Sequence, residues 1–141
     1  MSVKQVIVIR TRYPDGKGGF FKPRTGKLIA QGAHASMKVF FDMLGEVGDG
    51  CYDLGPREGW DWWGAVKPWV TGIFKKVVVG CMSEADLLDL YQAAQVAGLP
   101  CALIEDAGLT EFHGVLTPTC IAIGPAKSED IDAITGGLPL L

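Results

Sequence analysis

A chain of 141 residues is long enough for one compact domain and too short for two well-buried cores. Its composition, 48% hydrophobic and 21% charged, is typical of globular proteins and excludes an intrinsically disordered chain. The formal net charge of −3, taken alone, argues against a nucleic-acid partner. We expect a domain that folds alone or as a small oligomer such as a homodimer.

Charge is distributed very unevenly along the chain. Residues 1–40 contain eight basic residues and one acidic residue, a net charge of +7, whereas the rest contains five basic and fifteen acidic residues, a net charge of −10. The basic residues of the first part include Lys17, Lys22 and Arg24. This asymmetry indicates either a polyanionic partner bound on one face or a solvated surface with uneven charge, and the charges alone do not decide between the two.

The sequence carries no recognisable targeting or membrane-spanning segment. No run approaches the ~18 apolar residues of a membrane-spanning helix, and the segment MSVKQVIVIR reaches an arginine without a small-residue cleavage site. We therefore expect a soluble, cytoplasmic protein. The four cysteines form no C-x-x-C pair, so buried reduced thiols are expected rather than a zinc site or a disulfide framework.

The first third of the chain predicts a strand, a long loop and a helix. The Val/Ile-rich run 4–10 predicts a buried strand, and the two prolines and four glycines of 11–26 predict a loop with a turn at PDG. A helix is predicted over 27–44. Its apolar stripe is assigned to Ile29, Ala33, Met37, Phe40, Phe41 and Leu44, which recur at three- and four-residue steps.

The stretch 45–72 is rich in glycine, holds all four tryptophans and shows no sustained period. A structureless loop of this length is uncommon inside a compact domain, so we interpret it as an insertion with a function or with local packing of its own. Its tryptophans predict either recognition at a surface or capping of one end of the core, and both remain open.

The second half alternates strands with helices. Strands are predicted over 75–81, 100–105 and 119–125, and helices over 83–98 and 128–137. The connection 106–118 lacks a helix, so its two strands need not be parallel. The sequence therefore predicts a single α/β domain with a mixed four-stranded sheet and helices on both faces.

Two glycine-rich segments resemble phosphate loops without matching one. GKGG at 16–19 and GKLI at 26–29 combine glycine with lysine, but the pattern G-x-x-x-x-G-K-[ST] is absent. A nucleotide-binding P-loop is therefore not predicted. The basic loop around Lys17 remains suited to non-specific contact with phosphates.

The predicted first helix carries polar residues close to its start. Lys27, Gln31 and His34 are spaced so that they share one side of a helix. A histidine there can act as a base, an acid or a hydrogen-bond donor, although a lone helical histidine is more commonly a structural residue.

A second polar group follows the predicted strand 100–105. Asp106 lies where a strand end places a carboxylate at a cleft, Gly108 permits a tight turn, and Thr110 adds a hydroxyl. An aspartate with a nearby threonine can position water, but a capping turn uses the same residue types. His113 has no partner at metal-ligand spacing, so no metal site is predicted.

Three motifs together resemble one family. GKLIAQGAHA, EDAGLTEFHGVLTPTCIAIGP and DIDAITGGLPLL occur in the order found in the type 2 peptidyl-tRNA hydrolases. The resemblance covers roughly residues 4–44 and 74–141. It departs from the family pattern at Thr25, where a lysine is usual, and at the insertion 45–72, for which we recognise no counterpart.

The resemblance implies hydrolysis of the ester that joins a peptide to the 3′ end of tRNA, without metal or cofactor. It implies that His34 and Asp106 activate and orient water, that Thr110 positions it, and that Lys27 neutralises an oxyanion or a 3′ phosphate. Which of His34 and Asp106 takes the proton stays open. The predicted substrate-binding residues are Gln31, Gly108, Lys17, Lys22 and Arg24. The partner implied for the basic segment is tRNA.

Two other functions use the same residues. A non-catalytic protein of this fold could bind a protein or a small ligand through the tryptophans of 45–72. A hydrolase of another acyl conjugate could use the same polar residues. Cleavage of an N-blocked aminoacyl-tRNA distinguishes the three.

Overall fold

The computed structural model describes residues 2–53, 55–56, 58–59, 61–108 and 114–141. Within these residues short and long strands alternate with four α-helices. The strands are β1 (Val3–Arg10), β2 (Tyr13–Pro14), β3 (Phe20–Phe21), β4 (Gly45–Gly48), β5 (Cys51–Asp53), β6 (Lys76–Cys81), β7 (Cys101–Asp106) and β8 (Thr117–Lys127). The helices are α1 (Thr25–Met43), α2 (Lys67–Thr71), α3 (Glu84–Val96) and α4 (Ser128–Thr135). A π-helical turn, Trp62–Val66, runs directly into α2.

The four long strands form one mixed sheet in the order β6-β1-β8-β7. β1 pairs in parallel with β6 and antiparallel with β8, which also pairs antiparallel with β7. The antiparallel β7–β8 pair follows from their connection, which is too short for the helical crossover that parallel strands need. The prediction of a mixed four-stranded sheet is confirmed.

Helices cover both faces of the sheet and produce two cores. Along β1, Ile7 and Ile9 face α1, while Val6 and Val8 face α3 and α4. β8 lies in the middle of the sheet and is buried along most of its length. This explains why its sequence reads as a continuous apolar run rather than an alternating one.

Helix α1 begins two residues before its predicted start, and its buried face differs from the predicted one. The residues that pack on the sheet are Leu28, Gln31, Ala35 and Val39. In the predicted stripe, Ile29, Met37 and Phe41 are all exposed instead. The core-facing row contains small residues and a glutamine, so the periodicity of the largest apolar residues indicated the wrong side of a real helix.

Residues 45–72 contain local structure, as one of the two expectations for this stretch had it, although its individual elements were not predicted. β4 and β5 form a hairpin, and the π-turn with α2 places Trp69 against the domain. Trp69 is buried, donates from Nε1 to the carbonyl of Lys75 at 2.8 Å, and lies 4.2 Å from Phe74 between ring centroids. Trp69 thus serves packing, whereas Trp63 is exposed. Trp60 lies outside the described residues.

The predicted loop 11–26 also contains structure, because β2 and β3 pair as a short antiparallel hairpin. All four cysteines are free. Cys81 and Cys120 are buried as predicted and Cys101 is partly buried, but Cys51 on β5 is exposed, contrary to prediction. No helix in the described part of the chain has both the length and the apolar character needed to cross a bilayer.

Candidate active site

The carboxylate of Asp106 is the centre of a polar cluster at the end of β7. Its Oδ2 lies 2.6 Å from Lys27 Nζ and accepts a hydrogen bond of 2.7 Å from Gln31 Nε2. Its Oδ1 accepts a hydrogen bond of 2.7 Å from the backbone N–H of Gly108. The structure therefore brings together four of the predicted residues, two from the start of α1 and two from the end of β7.

Gln31 connects this cluster to the core. Its side chain is only 4% exposed, and its Oε1 accepts a hydrogen bond of 3.1 Å from Thr119 Oγ1. Because both ends of the amide are engaged, its orientation is fixed, and the N–H must point at Asp106. Gln31 therefore holds the carboxylate of Asp106, and the substrate contact predicted for Gln31 stays a prediction.

Thr119 is a site residue that the sequence reasoning missed. It is 1% exposed and lies on β8, where its hydroxyl bonds Gln31 and also lies 3.3 Å from the carbonyl of Ile104. The available signal was a hydroxyl residue inside the otherwise apolar run TCIAIG. A buried polar side chain needs a partner, so such a residue points to one.

The surroundings of Asp106 decide its ionisation. Burial opposes the charge and raises the pKa, but hydrogen bonds from Lys27, Gly108 and Gln31, together with the charge of Lys27, outweigh burial. The pKa of Asp106 is therefore held below its ordinary value. The carboxylate stays ionised at neutral pH, and a carboxylate with a lowered pKa is a weak base.

The turn after β7 requires glycine at position 108. Gly108 has φ +78°, and a Cβ there would lie 2.5 Å from the backbone nitrogen of Val115. The carbonyl of Gly108 also accepts a hydrogen bond of 2.7 Å from Gly114 N–H. The segment 106–108 is thus held against 114–115, and the amide that bonds Asp106 is held in place.

One predicted catalytic residue, His34, lies apart from this cluster in the described part of the chain. His34 lies one turn of α1 beyond Gln31 and is exposed, and in the described ranges no hydrogen bond or ion pair connects it to Asp106. Its imidazole is accessible from solvent. Thr110 lies outside the described residues.

The basic N-terminal part divides into buried and exposed residues. Lys4 pairs with Asp132, and Arg10 lies under Tyr13 and bonds two backbone carbonyls. Both are at least nine-tenths buried, so their charges are structural, which corrects the interpretation of the whole segment as a binding surface. Lys17, Lys22 and Arg24 are exposed, as a phosphate-binding role requires.

Two cavities flank α1 and the strand ends. A cavity of about 330 Å³ lies beside Thr117, the residue paired with Asp106 across β7 and β8. A larger one of about 880 Å³ lies on the other side of α1, against Trp69 and Phe74, with an almost entirely apolar lining. The larger cavity contains none of the Asp106 cluster. No group of three or more metal-ligating side chains occurs in the part of the chain that the structure describes.

Comparison with known proteins decides the family. The family model described as peptidyl-tRNA hydrolase PTH2 matches residues 3–141. The chain belongs to this family. The prediction made from the three motifs is confirmed.

Relatives named peptidyl-tRNA hydrolase match nearly end to end. The protein of Methanocaldococcus jannaschii is 41% identical over 140 residues, which cover 99% of this chain and 100% of the relative. That of Methanopyrus kandleri is 42% identical over 139 residues, covering 98% and 97%. That of Staphylothermus marinus is 40% identical over 138 residues, covering 98% and 94%. Each match thus extends over nearly the whole of this chain and of the relative.

Proposed function

We propose that the protein hydrolyses the ester between a peptide, or an N-blocked amino acid, and the 3′ end of tRNA, which releases tRNA for reuse. Family membership supports this reaction. The observation that carries the assignment to a site is the ionised Asp106 carboxylate held by Lys27, Gln31 and Gly108. An ester is already activated, so the protein needs to orient water, accept a proton and stabilise the developing negative charge.

Asp106 orients the attacking water in this mechanism. A carboxylate oxygen has two lone-pair directions, and among the described residues Oδ1 receives one hydrogen bond, from Gly108. A water molecule can donate to the second direction. Because the pKa of Asp106 is lowered, the carboxylate holds the water without taking its proton.

His34 accepts the proton. Histidine is the side chain most often used as a general base near neutral pH, and His34 is accessible on α1 one turn beyond Gln31. The water oxygen bonds to the ester carbonyl carbon while its proton passes to the imidazole. The bond to the ribose oxygen then breaks, and that oxygen takes the proton from the His34 imidazolium as it leaves, which restores the neutral imidazole.

Lys27 supplies positive charge beside the reacting ester. Its ammonium lies 2.6 Å from Asp106 Oδ2, so the lysine is held next to the place where the carbonyl oxygen becomes negative. A fixed charge in a partly buried position stabilises such an oxyanion more than it would in water. Thr110 keeps the water-positioning role that the family resemblance implies.

The exposed basic residues Lys17, Lys22 and Arg24 bind tRNA phosphates. Each is exposed in the segment between β2 and the start of α1. Binding through such contacts releases counterions and weakens steeply as salt increases. Tight binding at low salt should therefore be lost at moderate salt.

Single-turnover cleavage of a purified N-acetylaminoacyl-tRNA tests the function. We expect the wild-type protein to release the N-acetyl amino acid, and to do so no more slowly when metal ions are chelated. An inert wild-type protein would contradict the proposal. If that inert protein still bound tRNA in a salt-dependent manner, a non-catalytic binding protein of the same fold would be favoured.

A further inference from the structure

Strand β7 forms one edge of the main sheet and ends at Asp106. In the described part of the chain it pairs on one side only, with β8. Strands β1 and β8 have neighbours on both sides and are buried almost throughout, whereas Cys101, Leu103 and Ile104 of β7 are only partly buried. An edge strand carries unpaired backbone groups on its outer side. The outer edge of β7 is therefore a backbone surface that leads to the candidate active site.

The register with β8 shows which backbone groups of β7 face outward. At the start of the ladder, the N–H of Gly124 donates a hydrogen bond of 2.7 Å to the carbonyl of Pro100. Hydrogen-bonded pairs alternate with non-hydrogen-bonded pairs in an antiparallel ladder, so Ala102 and Ile104 also bond to β8. Leu103 lies between these two residues. Its N–H and C=O therefore point away from β8.

The same alternation continues to Glu105. The ladder has a bulge at this point, because Ile104 is opposite Cys120 and Glu105 is opposite Pro118. The extra residue of the bulge lies on β8, so β7 itself stays regular and the N–H and C=O of Glu105 face outward. Within the residues that the structure describes, neither another strand nor a loop bonds the outer groups of Leu103 or Glu105. Two successive outward positions of β7 are thus open to a further strand.

The covalent structure of the substrate fixes the direction in which its peptide can follow this edge. This step rests on the proposed function, because it takes the ester to lie at Asp106. The ester joins the C-terminal carbonyl of the peptide to tRNA, so the C-terminal end of the peptide lies at the C-terminal end of β7. A peptide parallel to β7 then runs back along the strand, whereas an antiparallel peptide would leave it. At about 3.3 Å per residue, three amino acids of the peptide reach from Asp106 to Leu103.

We propose that the peptide of the substrate binds the outer edge of β7 as an additional parallel strand. The amino acid that carries the ester lies opposite Asp106, and its N–H donates to the carbonyl of Glu105. The third amino acid from the ester accepts from the N–H of Glu105 and donates to the carbonyl of Leu103, whose own N–H donates to the fifth carbonyl. The second and fourth amino acids direct their N–H and C=O away from β7. Because only backbone groups take part, peptides of any sequence bind in this way.

The first part of the test places one N-methyl group on the peptide of N-acetyl-tetraalanyl-tRNA. At the third alanine from the ester, the methyl group replaces the hydrogen that is donated to Leu103. At the second alanine it replaces a hydrogen that faces away from β7. We expect methylation of the third alanine to lower kcat/KM about fivefold, as loss of one backbone hydrogen bond does, and methylation of the second to change it little. The two substrates carry the same chemical change, so each is the control for the other.

The second part of the test removes a donor from the protein. Glu105→Pro deletes the outer N–H of an exposed edge position, where proline leaves the hydrogen bonds to β8 in place. The measured quantity is kcat/KM for N-acetyl-tetraalanyl-tRNA divided by kcat/KM for N-acetylalanyl-tRNA, which is too short to accept from that N–H. We expect this ratio to fall about fivefold in Glu105→Pro. Glu129→Pro, in the first turn of α4 where proline is tolerated, is the matched control and should keep the wild-type ratio.

The possible outcomes separate this inference from the function beneath it. Equal cleavage of the two N-methylated substrates, or a loss at the second alanine alone, would overturn the added strand and leave the hydrolase intact. An unchanged ratio in Glu105→Pro would overturn the location on β7. A wild-type dimer that Glu105→Pro converts to a monomer in sedimentation velocity would assign the edge to a second copy of the chain instead. A wild-type protein inactive on both unmodified substrates would remove the function itself and the inference with it.

Discussion

The two sides of helix α1 differ in their chemistry. On one side, Lys27 and Gln31 hold Asp106 in a cluster of short hydrogen bonds. On the other, Ile29, Met37 and Phe41 are exposed along an apolar cavity of about 880 Å³. The larger and more apolar cavity thus contains none of the residues to which we assign the chemistry. A site is indicated by convergent polar groups and a shifted pKa rather than by volume.

Among the variants described here, replacement of Asp106 should reduce cleavage most and so distinguish the polar side of α1 from the apolar side most clearly. Asp106→Asn keeps the size of the side chain but removes the charge that orients water and balances Lys27. We expect single-turnover cleavage to fall by about 10²–10³-fold, a loss typical of a deleted electrostatic contact in an active site. Asp42→Asn, which removes a carboxylate from the far end of α1, is the matched control. Equal rates in the two variants would place the chemistry elsewhere.

His34→Ala should have the next largest effect on cleavage. Removing a general base costs on the order of 10²-fold, and because His34 is exposed the melting temperature should be unchanged. An unchanged cleavage rate in His34→Ala would mean that a group other than His34 accepts the proton. His34→Gln, which keeps polarity without the same basicity, should be equally slow.

Gln31→Leu should affect both activity and folding. It leaves the buried hydroxyl of Thr119 without one partner and the carboxylate of Asp106 without one donor. Loss of a buried hydrogen-bond partner costs about 1–3 kcal/mol, so urea unfolding should show a lower free energy of unfolding. Cleavage should fall by roughly tenfold as Asp106 loses its fixed position. Stability equal to wild type would mean that the amide is not fixed as described.

Acid should remove part of the stability that Asp106 provides. Its folded pKa lies below the unfolded one, so its contribution is fully present above the ordinary value of 3.8 and is lost as pH falls through the folded pKa. The difference in free energy of unfolding between wild type and Asp106→Asn should be constant near neutral pH. It should shrink as pH falls below about 4. A difference that grows on acidification would contradict the sign of the shift.

Met37→Ser tests the apolar side of α1, and it should change the cleavage rate least. Met37 is 60% exposed and lines the larger cavity, which contains none of the Asp106 cluster, so cleavage should stay within about twofold of wild type. Stability should change by no more than about 0.5 kcal/mol, as at most surface positions. A large loss of cleavage in Met37→Ser would mean that the active site includes the apolar side of α1.

The fold was largely predictable because its strands are buried on both faces. Val/Ile-rich runs such as 4–10 and the N-cap Ser83 of α3 carry local signals that tertiary packing did not override. The orientation of α1 was not predictable in the same way. Its buried row, with Gln31 and Ala35, is less hydrophobic than the exposed row with Met37 and Phe41. The periodicity of apolar residues predicts that a helix forms. It predicts which face is buried only where the face toward the core is the more apolar one.

The sequence motifs named four residues that the structure brings together, but they did not show how those residues contact one another. Lys27, Gln31 and Asp106 could be named from their motifs, yet only the structure brings residues 75 positions apart within 2.7 Å. Thr119 was missed because its significance depends on a partner on another element. Lys4 and Arg10 were overvalued because net charge counts buried and exposed residues alike.

A double-mutant cycle on Lys27 and Asp106 tests most directly whether the polar side of α1 acts as one unit. Single-turnover cleavage of N-acetylaminoacyl-tRNA is measured for wild type, Lys27→Met, Asp106→Asn and the double variant. Because the two charges lie 2.6 Å apart, we expect the double variant to be little slower than the slower single variant. Losses that multiply would show two independent contributions and would contradict the account.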